Sequence, residues 1–448
     1  MKKNISVMGS GLVGAMIAVI LNRKGNNVTV YEKRPDLRKV KWEDGRTINL
    51  ALSERGWNAL RVLGLEEKVK KIAIPMPGRM IHDINDKTIF QPYGKENEAI
   101  YSVSRGMLNE LIMDIAELEG VKFVFEQKCQ HVDLEHCIIY LNNIDTDEQQ
   151  AIKSDIIVGA DGVFSIVRSM MQRTNRFNYN QQYIEHGYKE LTIPANNLNN
   201  WKIEKNALHI WPRGNFMFIA LPNTDGTFTG TLFFPYEGDI SFDKLKTEKE
   251  IQQFFEEYFP DVIKLNPEIV KEYLKNPTCS LVNIICYPWV YKDNIFLIGD
   301  AAHGIVPFYG QGMNAGFEDC VILNDLLEEN TSNWHETLIK YQSLRKINAD
   351  AIAELALGNF IEMRDKVSDE RFLLRKKIEA HIHANYPILW VPLYTMIAFH
   401  HDISYSEAQQ IGIKHDKIMK KIMNIENIEN IWEGLDYLPF INNLLTTN

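Results

Sequence analysis

The chain has 448 residues, of which 45% are hydrophobic and 24% charged, a composition typical of a globular protein with two or three structural units. Its formal net charge of −10 and the absence of a long Lys/Arg block argue against a nucleic-acid partner. The five cysteines form no CxxC pair, which is typical of reduced thiols in a cytoplasmic protein.

The first predicted elements, over residues 4–33, are a strand, a glycine turn, a helix and a second strand. The turn GSGLVG places Gly9, Gly11 and Gly14 in GxGxxG spacing, and Glu32 ends the second strand. Small residues let the backbone approach a pyrophosphate, and the free N–H groups of a helix N-terminus attract it. A carboxylate such as Glu32 accepts hydrogen bonds from ribose hydroxyls. The pattern predicts a dinucleotide-binding unit, for either NAD(P) or FAD.

The following region alternates short strands and helices up to about residue 175. Residues 52–65 and 104–120 have helical spacing, and short alternating runs over 73–102 predict strands. From about 176 to 290 the stretches ALHIWPRGNFMFIALP and GTFTGTLFFPY predict long, aromatic-rich antiparallel strands. After residue 312 the pattern is mostly helical.

The stretch GDAAHGIVPFYGQGMN distinguishes between the two dinucleotides. It follows the apolar run NIFLI, which predicts a buried strand with Asp300 at its end. An acid there suits the hydroxyls of a ribityl chain. A helix that begins near Gly312 would direct its N–H groups to N1 and the C2 carbonyl of a flavin, with Gly310 and Gly312 allowing close approach. The stretch therefore favours FAD.

Three motifs in this order resemble those of the class A flavoprotein aromatic hydroxylases. They are GSGLVG, GADGVFSIVR at 159–168, and GDAAHGIVPFYGQGMN. The resemblance implies that the Asp161–Gly162 pair lies near FAD and the incoming nicotinamide, and that Arg105 lies near the flavin pyrophosphate. It also implies that NADPH binds only transiently, since a second GxGxxG unit is not found in the sequence.

The resemblance and the predicted elements indicate an α/β fold. A Rossmann-type FAD-binding domain is interrupted by a mixed or antiparallel β-sheet substrate domain, and a helical region lies at the C-terminus. The predicted segments are FAD-binding parts over 1–72, 103–175 and 291–358, substrate-domain strands over 73–102 and 176–290, and a helical cap over 359–448.

A narrower resemblance covers nearly the whole chain. RTINLALSERGWNALRVLGL, GRMIHD, QPYG, YSVSRGMLNE, PFYGQGMNAGFED and GNFIEMRD are similar to segments of the kynurenine 3-monooxygenase family. The family converts L-kynurenine to 3-hydroxy-L-kynurenine with FAD, NADPH and O₂, through a flavin C4a-hydroperoxide, in the degradation of tryptophan.

The family resemblance also implies site residues. Arg79 and Tyr93 would bind the substrate carboxylate, Asn359 and Tyr394 would complete the polar contacts, and Phe308 and Met363 would border the aromatic ring. The positions implied for contact with noncovalent FAD, beyond the glycines and Asp161, are Val13, Tyr31, Glu32, Lys33, Arg34, Ala51, Arg105, Asp300, Met313 and Asn314. Tyr309 stands where some members have histidine, which affects the positioning of the substrate.

Other interpretations stay open at this point. Arg79 alone would be a solvated loop charge, and Met363 or Tyr394 alone would be core residues. His303 is better explained as support for the Asp300 loop than as a general base. A salicylate-type hydroxylase or a non-hydroxylating flavin-binding protein are alternative functions.

The remaining expectations concern location and assembly. The apolar stretch 386–399 is shorter than the roughly 20 residues needed to span a bilayer and contains two prolines, so a packed helix is expected and peripheral membrane contact is left open. We expect a cytoplasmic protein without a stable membrane anchor. Oligomeric state and the preference for NADPH over NADH cannot be predicted from the sequence.

Overall fold

The computed structural model describes residues 2–39, 49–85, 87–94, 98–329, 333–365 and 370–442. The strands are β1 (Asn4–Met8), β2 (Asn27–Tyr31), β3 (Asn49–Leu52), β4 (Ala73–Met76), β5 (Gly78–His82), β6 (Thr88–Pro92), β7 (Ile100–Ser104), β8 (Lys122–Val124), β9 (Gln127–Asp133), β10 (Ile138–Asn143), β11 (Gln149–Lys153), β12 (Ile156–Gly159), β13 (Asn178–Ile193), β14 (Leu208–Arg213), β15 (Phe216–Pro222), β16 (Phe228–Pro235), β17 (Cys279–Tyr287), β18 (Val290–Tyr291) and β19 (Ile295–Leu297).

The helices are α1 (Leu12–Arg23), α2 (Glu54–Leu63), α3 (Glu66–Lys70), α4 (Arg105–Leu118), α5 (Ile166–Met171), α6 (Glu248–Tyr258), α7 (Pro260–Leu265), α8 (Ile269–Lys275), α9 (Asp300–His303), α10 (Gly312–Glu329), α11 (Trp334–Asp365), α12 (Glu370–Asn385), α13 (Leu393–Phe399), α14 (Tyr405–Met423), α15 (Ile428–Ile431) and α16 (Leu438–Ile441), with 3₁₀ turns at Pro307–Tyr309 and Trp432–Gly434.

A six-stranded sheet in the order β18-β19-β12-β1-β2-β8 forms the first layer. All its neighbouring strands pair in parallel except β18 and β19. Most residues of β1, and all of β12 and β19, are buried, as expected for parallel strands covered on both faces. Because the strands are parallel, the residues that follow β1, β2, β12 and β19 meet at one edge, where α/β sheets bind ligands. The predicted Rossmann-type unit is confirmed.

A seven-stranded sheet in the order β17-β13-β16-β15-β14-β5-β6 forms the second layer. Its pairs are antiparallel except for β14 with β5, which is parallel. Successive side chains point to opposite faces. One face packs against α6, α7 and α8 through an aromatic core that includes Trp211, Phe234 and Phe259.

The other face of this sheet packs against the 3₁₀ turn Pro307–Tyr309 and the C-terminal helices. Met217 and Phe233 belong to the same core as Phe308 of the 3₁₀ turn, Ile352 of α11 and Met396 of α13. This face, the 3₁₀ turn and the C-terminal helices therefore enclose one region, and the candidate substrate residues lie there. The predicted division of the chain into segments remains a prediction.

The predicted helical C-terminal region is confirmed and has its own core around Ile378, Trp390 and Met419. Within the described residues, no helix combines the length and the apolar character that a membrane span requires.

Candidate functional site

The GxGxxG turn joins β1 to α1, and glycine is favoured at each of its three positions for a different physical reason. Gly9 has a φ of +96°, and a Cβ there would lie 2.6 Å from the carbonyl oxygen of Ala160. A Cβ at Gly14 would lie 2.0 Å from the carbonyl oxygen of Gly9, so the helix and the turn could not pack as they do. At Gly11 a Cβ would meet no described protein atom within 4 Å. A ligand that approaches the backbone is a reason for glycine at this position, and α1 begins there without a side-chain cap.

The carboxylate of Glu32 is already bound to the protein on both oxygens. Oε2 accepts from the backbone N–H of Ser10 at 2.8 Å, and Oε1 accepts from Nε of Arg34 at 2.9 Å. Burial alone would raise the pKa of Glu32, but the charge and hydrogen bonds of Arg34 and the bond from Ser10 lower it. Glu32 is therefore a fixed anion at the sheet edge. The residues beside it are a buried Tyr31 and an exposed Lys33.

The Asp161 carboxylate lies at the N-terminus of α5 and accepts hydrogen bonds from its first two backbone N–H groups. Its Oδ2 accepts from the backbone N–H of Ile166 at 2.7 Å, while its Oδ1 is buried with no partner among the described residues. Burial raises the pKa of Asp161, and the hydrogen bonds that it accepts oppose this. Arg168 then joins the second motif to the third, because its guanidinium donates to the carbonyl oxygens of Val163 and Ala301.

Asp300 is the first residue of α9 and follows Gly299, which has a φ of +61°. Its side chain is open to solvent at the edge of the parallel sheet. Val13 of α1 packs beneath this turn, within 3.1 Å of where a Cβ on Gly299 would lie. The first and third motifs therefore meet at Asp300.

Helix α10 begins at Gly312, as predicted, and Asn314 fixes its N-terminus. The Asn314 amide donates to the carbonyl oxygens of Ala51 and Gly310, both at 2.9 Å, and accepts from the backbone N–H of Ser53 at 3.0 Å. Because the side chain of Asn314 is fully buried in these bonds, a flavin contact at this position, which the resemblance implies, would fall on the backbone. Met313 is half-buried at the same helix end.

Arg79 lies on a stack of tyrosine rings. Its guanidinium carbon is 5.5 Å from the ring centre of Tyr93 and 5.8 Å from that of Tyr394. The rings of Tyr93 and Tyr394 are stacked at 5.0 Å, and Tyr309 stacks on Tyr394 at 5.6 Å. In the part of the chain that the structure describes, no side chain accepts a hydrogen bond from Arg79 and no carboxylate pairs with it. The arrangement brings together residues from β5, the loop after β6, the 3₁₀ turn and α13.

An aromatic wall lies beside the tyrosines. Phe308 stacks on Phe360 of α11 at 4.3 Å and lies 5.0 Å from Phe233 of β16. Asn359 donates from its Nδ2 to the carbonyl oxygen of Phe308 at 2.7 Å, so it holds this wall in place. Met363 belongs to α11, but its side chain lies outside the described part of the structure.

Three aromatic residues of this region are not among the site residues predicted from the sequence. Tyr309 is predicted only to affect the positioning of the substrate, and Phe233 and Phe360 carry no prediction. The adjacency of Tyr309 to Phe308, and of Phe360 to Asn359, is a signal that could have indicated them. Phe233 gives no such signal, because its approach to Phe308 depends on how the second sheet packs.

Comparison with known proteins identifies the family. A family model described as an FAD binding domain matches residues 2–356. A kynurenine 3-monooxygenase of Christiangramia forsetii is 49% identical over 97% of this chain and 96% of the relative. One of Flavobacterium johnsoniae is 50% identical over 96% of this chain and 95% of the relative. This chain belongs to the kynurenine 3-monooxygenase family. It is therefore an FAD-dependent monooxygenase, and the alternative functions left open by the sequence are not favoured.

A solved structure supports the fold of this family member. A tetrameric form of 2-methyl-3-hydroxypyridine-5-carboxylic acid oxygenase matches with a TM-score of 0.66 over 82% of this chain and 94% of that one. At 19% identity, the match bears on the fold alone.

The residues present fit FAD. The backbone at Gly11 is open to a ligand, α1 and α10 direct their N-termini to the same sheet edge, and the Asp300 carboxylate is accessible between them. These features suit a pyrophosphate, a ring that carries negative charge when reduced, and a hydroxylated chain.

A buried network of charges supports the flavin loop of this family member. Asp319 of α10 accepts from the backbone N–H of Gly299 at 3.0 Å and lies 2.5 Å from Nε2 of His303. Arg345 of α11 donates to Asp319 at 2.6 Å and to Glu318 at 2.5 Å. Burial alone would raise the pKa of Asp319, but the charges and hydrogen bonds of His303 and Arg345 lower it. This geometry gives His303 a supporting place behind the Asp300 loop.

We expect Asp300→Ala to weaken FAD binding, because the change removes a carboxylate acceptor for the ribityl hydroxyls. The loss of a hydrogen bond to a charged group costs about 1.5–3 kcal/mol, or roughly 10- to 150-fold in the dissociation constant. Titration of the apoprotein with FAD, followed by flavin fluorescence, measures this. Asp293→Ala, an exposed aspartate before β19, is the control. Equal dissociation constants for Asp300→Ala and wild type would contradict the role.

Proposed function

We propose that this protein converts L-kynurenine to 3-hydroxy-L-kynurenine, with NADPH and O₂ as cosubstrates and noncovalent FAD. The observation that carries the proposal is the Arg79 guanidinium, half-buried on two tyrosine rings and without a carboxylate partner in the described chain. Such a cation is suited to an anionic group of a ligand, which it can bind in bidentate geometry. The relatives are named for kynurenine, whose amino-acid carboxylate is such a group.

The tyrosines around Arg79 are proposed to donate hydrogen bonds to the same carboxylate. Burial raises the pKa of Tyr93 and of Tyr394 above the ordinary value of a phenol. Both hydroxyls therefore remain protonated at neutral pH and can act as donors. The positive charge of Arg79 and two neutral donors make a site that prefers a carboxylate to a neutral group.

The aromatic ring of the substrate is proposed to lie against Phe308, with Tyr309 and Phe360 on its borders. Asn359 would act chiefly by fixing Phe308, in addition to the polar contact that the family resemblance implies. Met363 is proposed as a further border residue on the resemblance alone. These side chains orient the ring and exclude water, which keeps reactive oxygen from being lost as H₂O₂.

The cofactor residues are proposed to hold FAD in an extended pose. The turn from Gly9 to Gly14 would face the pyrophosphate, Glu32 the ribose, Asp300 the ribityl chain, and the N-terminus of α10 the ring. Bound FAD supplies the transfer of electrons from NADPH to O₂. The aniline nitrogen of kynurenine donates electron density to the carbon that is hydroxylated, so the chain need not provide a strong base.

Substrate-dependent turnover tests the proposal. NADPH oxidation and O₂ uptake by the purified protein are measured with L-kynurenine, with salicylate and without an aromatic compound. L-Kynurenine should stimulate both rates, and salicylate should not. Stimulation by salicylate alone would overturn the proposed substrate while leaving the FAD assignment intact.

We also propose that the protein works in the cytoplasm and without a nucleic-acid partner. The proposal rests on the composition, the net charge and the cysteines without CxxC spacing.

A further inference from the structure

Arg55 of α2 is a buried charge that the candidate site does not use. Its side chain is 0% exposed. The guanidinium donates to the carboxylate of Glu318 in α10 and to the backbone carbonyl oxygen of Ile403. It also donates to the carbonyl oxygens of Ile397 and His400, both at 3.2 Å. A single side chain of α2 therefore holds three backbone carbonyl groups of the C-terminal region.

The three carbonyl groups belong to the end of α13 and to the turn that follows it. Ile397 lies in the last turn of α13, His400 ends the helix, and Ile403 lies shortly before α14. The last four carbonyl groups of a helix have no partner within it, so a donor from elsewhere stabilises them. The ring centre of Tyr405 in α14 lies 4.0 Å from the guanidinium carbon, which is a cation–π contact. Arg55 therefore fixes the C-terminal end of α13.

The opposite end of α13 carries Tyr394, a residue of the proposed substrate site. Tyr394 precedes Ile397 by about one helical turn, and its ring stacks on that of Tyr93 at 5.0 Å. The next residue, Thr395, donates from its hydroxyl to the carbonyl oxygen of Tyr93 at 3.5 Å. A helix of seven residues is too short to be stable alone, so the contacts at its ends set its direction. One short helix thus joins the Arg55 guanidinium to the tyrosine stack.

Arg55 is itself fixed to α10, whose N-terminus is proposed to face the flavin ring. Two residues before Arg55, the backbone N–H of Ser53 donates to Oδ1 of Asn314 at 3.0 Å. Glu318, about one turn further along α10, accepts from Arg55 on Oε1 and from Arg345 on Oε2. Through Arg55, α13 is therefore attached to the first turns of α10.

We propose that Arg55 is a positioning residue of the substrate site, which holds α13 so that Tyr394 lies at a fixed distance from Arg79. The inference rests on the proposed function, because it takes Tyr394 as a ligand of the substrate carboxylate. Arg55 is enclosed by protein, so it acts on the substrate only through Tyr394. Arg345, on the other oxygen of Glu318, supports the loop of the third motif, so the two arginines should affect different ligands.

The test compares ligand affinities in Arg55→Lys and wild type. Lysine keeps a positive charge beside Glu318 but lacks the planar fork that reaches three carbonyl groups. The dissociation constant of L-kynurenine from the holoprotein, measured from the change in the flavin absorption spectrum, should rise about tenfold, as for the loss of one hydrogen bond to a charged group. More of the consumed NADPH should appear as H₂O₂. The dissociation constant of FAD should change less than about twofold. Arg61→Lys, the same substitution at an exposed position of α2, should match wild type in all three measurements.

A double-mutant cycle with Tyr394→Phe separates positioning from general stability. Tyr394→Phe keeps the ring and removes the hydroxyl. In that background, Arg55→Lys should change the dissociation constant of L-kynurenine less than about twofold, because the hydroxyl that Arg55 positions is gone. A residue that only stabilises the fold would lower the urea midpoint of unfolding and leave kynurenine affinity and coupling unchanged.

Wild-type kynurenine affinity and coupling in folded Arg55→Lys would overturn the inference and leave the proposed function intact. An equal effect of Arg55→Lys with and without the Tyr394 hydroxyl would overturn it too, since Arg55 would not act through Tyr394. If wild type does not bind L-kynurenine, the proposed function fails and the inference with it. Should Arg55→Lys not yield a folded holoprotein, Arg55→Gln, which keeps an amide donor for the same carbonyl groups, is tested with the same expectations.

Discussion

Arg79→Ala should weaken kynurenine binding by about 2–5 kcal/mol, a loss of roughly 30-fold or more in affinity, while FAD stays bound. The loss is large because the guanidinium is half-buried against Tyr93 and Tyr394. Without it, the substrate carboxylate would lose its charged partner in this half-buried site. Loss of ring orientation should also divert more of the consumed NADPH to H₂O₂. Steady-state NADPH oxidation, with product and H₂O₂ measured in parallel, gives KM and coupling together.

Two further variants sharpen the Arg79 result. Arg79→Lys keeps the charge but loses the bidentate fork, so its KM should lie between those of wild type and Arg79→Ala. Arg173→Ala removes an exposed arginine and should behave as wild type. An Arg79→Ala enzyme with unchanged KM and coupling would show that the carboxylate is held elsewhere.

Arg345→Met should lower the free energy of unfolding by about 3–5 kcal/mol, because removing one partner of a buried ion pair leaves the other uncompensated. Arg345 and Asp319 have side chains that are 3% and 0% exposed, and Arg345 also pairs with Glu318. Urea unfolding of the holoprotein, followed by far-UV circular dichroism, measures the change. Since Asp319 supports Gly299, the variant should also release FAD more readily.

The control for Arg345 lies on the same helix. Lys340 pairs with Glu329 at 2.8 Å, but both side chains are more than half exposed, so Lys340→Met should cost less than about 1 kcal/mol. Equal stabilities for the two variants would contradict the buried network.

The network also predicts the direction of acid sensitivity. The folded-state pKa of Asp319 is lowered, so its contribution to stability is present above the unfolded value of about 4 and is lost as the pH falls through the folded value.

The sequence predicted the parts of the structure that depend on neighbouring residues. The GxGxxG turn, the strand before Asp300 and the start of α10 at Gly312 follow from local apolar runs and glycine spacing. The hydrogen bonds of these segments do not follow from the local sequence pattern. The side-chain amide of Asn314 is hydrogen-bonded to the backbone of Ala51, Gly310 and Ser53, and only the folded structure shows these bonds.

The candidate substrate site depended on contacts between distant segments. Arg79 and Tyr394 are far apart in the chain, and periodicity tells which face a residue takes but not what that face meets. The family resemblance, rather than the residues themselves, suggested that they belong together.

Turnover under ¹⁸O₂ shows whether this protein hydroxylates kynurenine with an oxygen atom from O₂. Purified holoprotein is supplied with NADPH and L-kynurenine, and the product is identified and quantified by mass spectrometry. We expect 3-hydroxy-L-kynurenine that carries one ¹⁸O atom, in an amount close to that of the NADPH consumed. NADPH consumption without this product, or a product whose new oxygen comes from water, would contradict it.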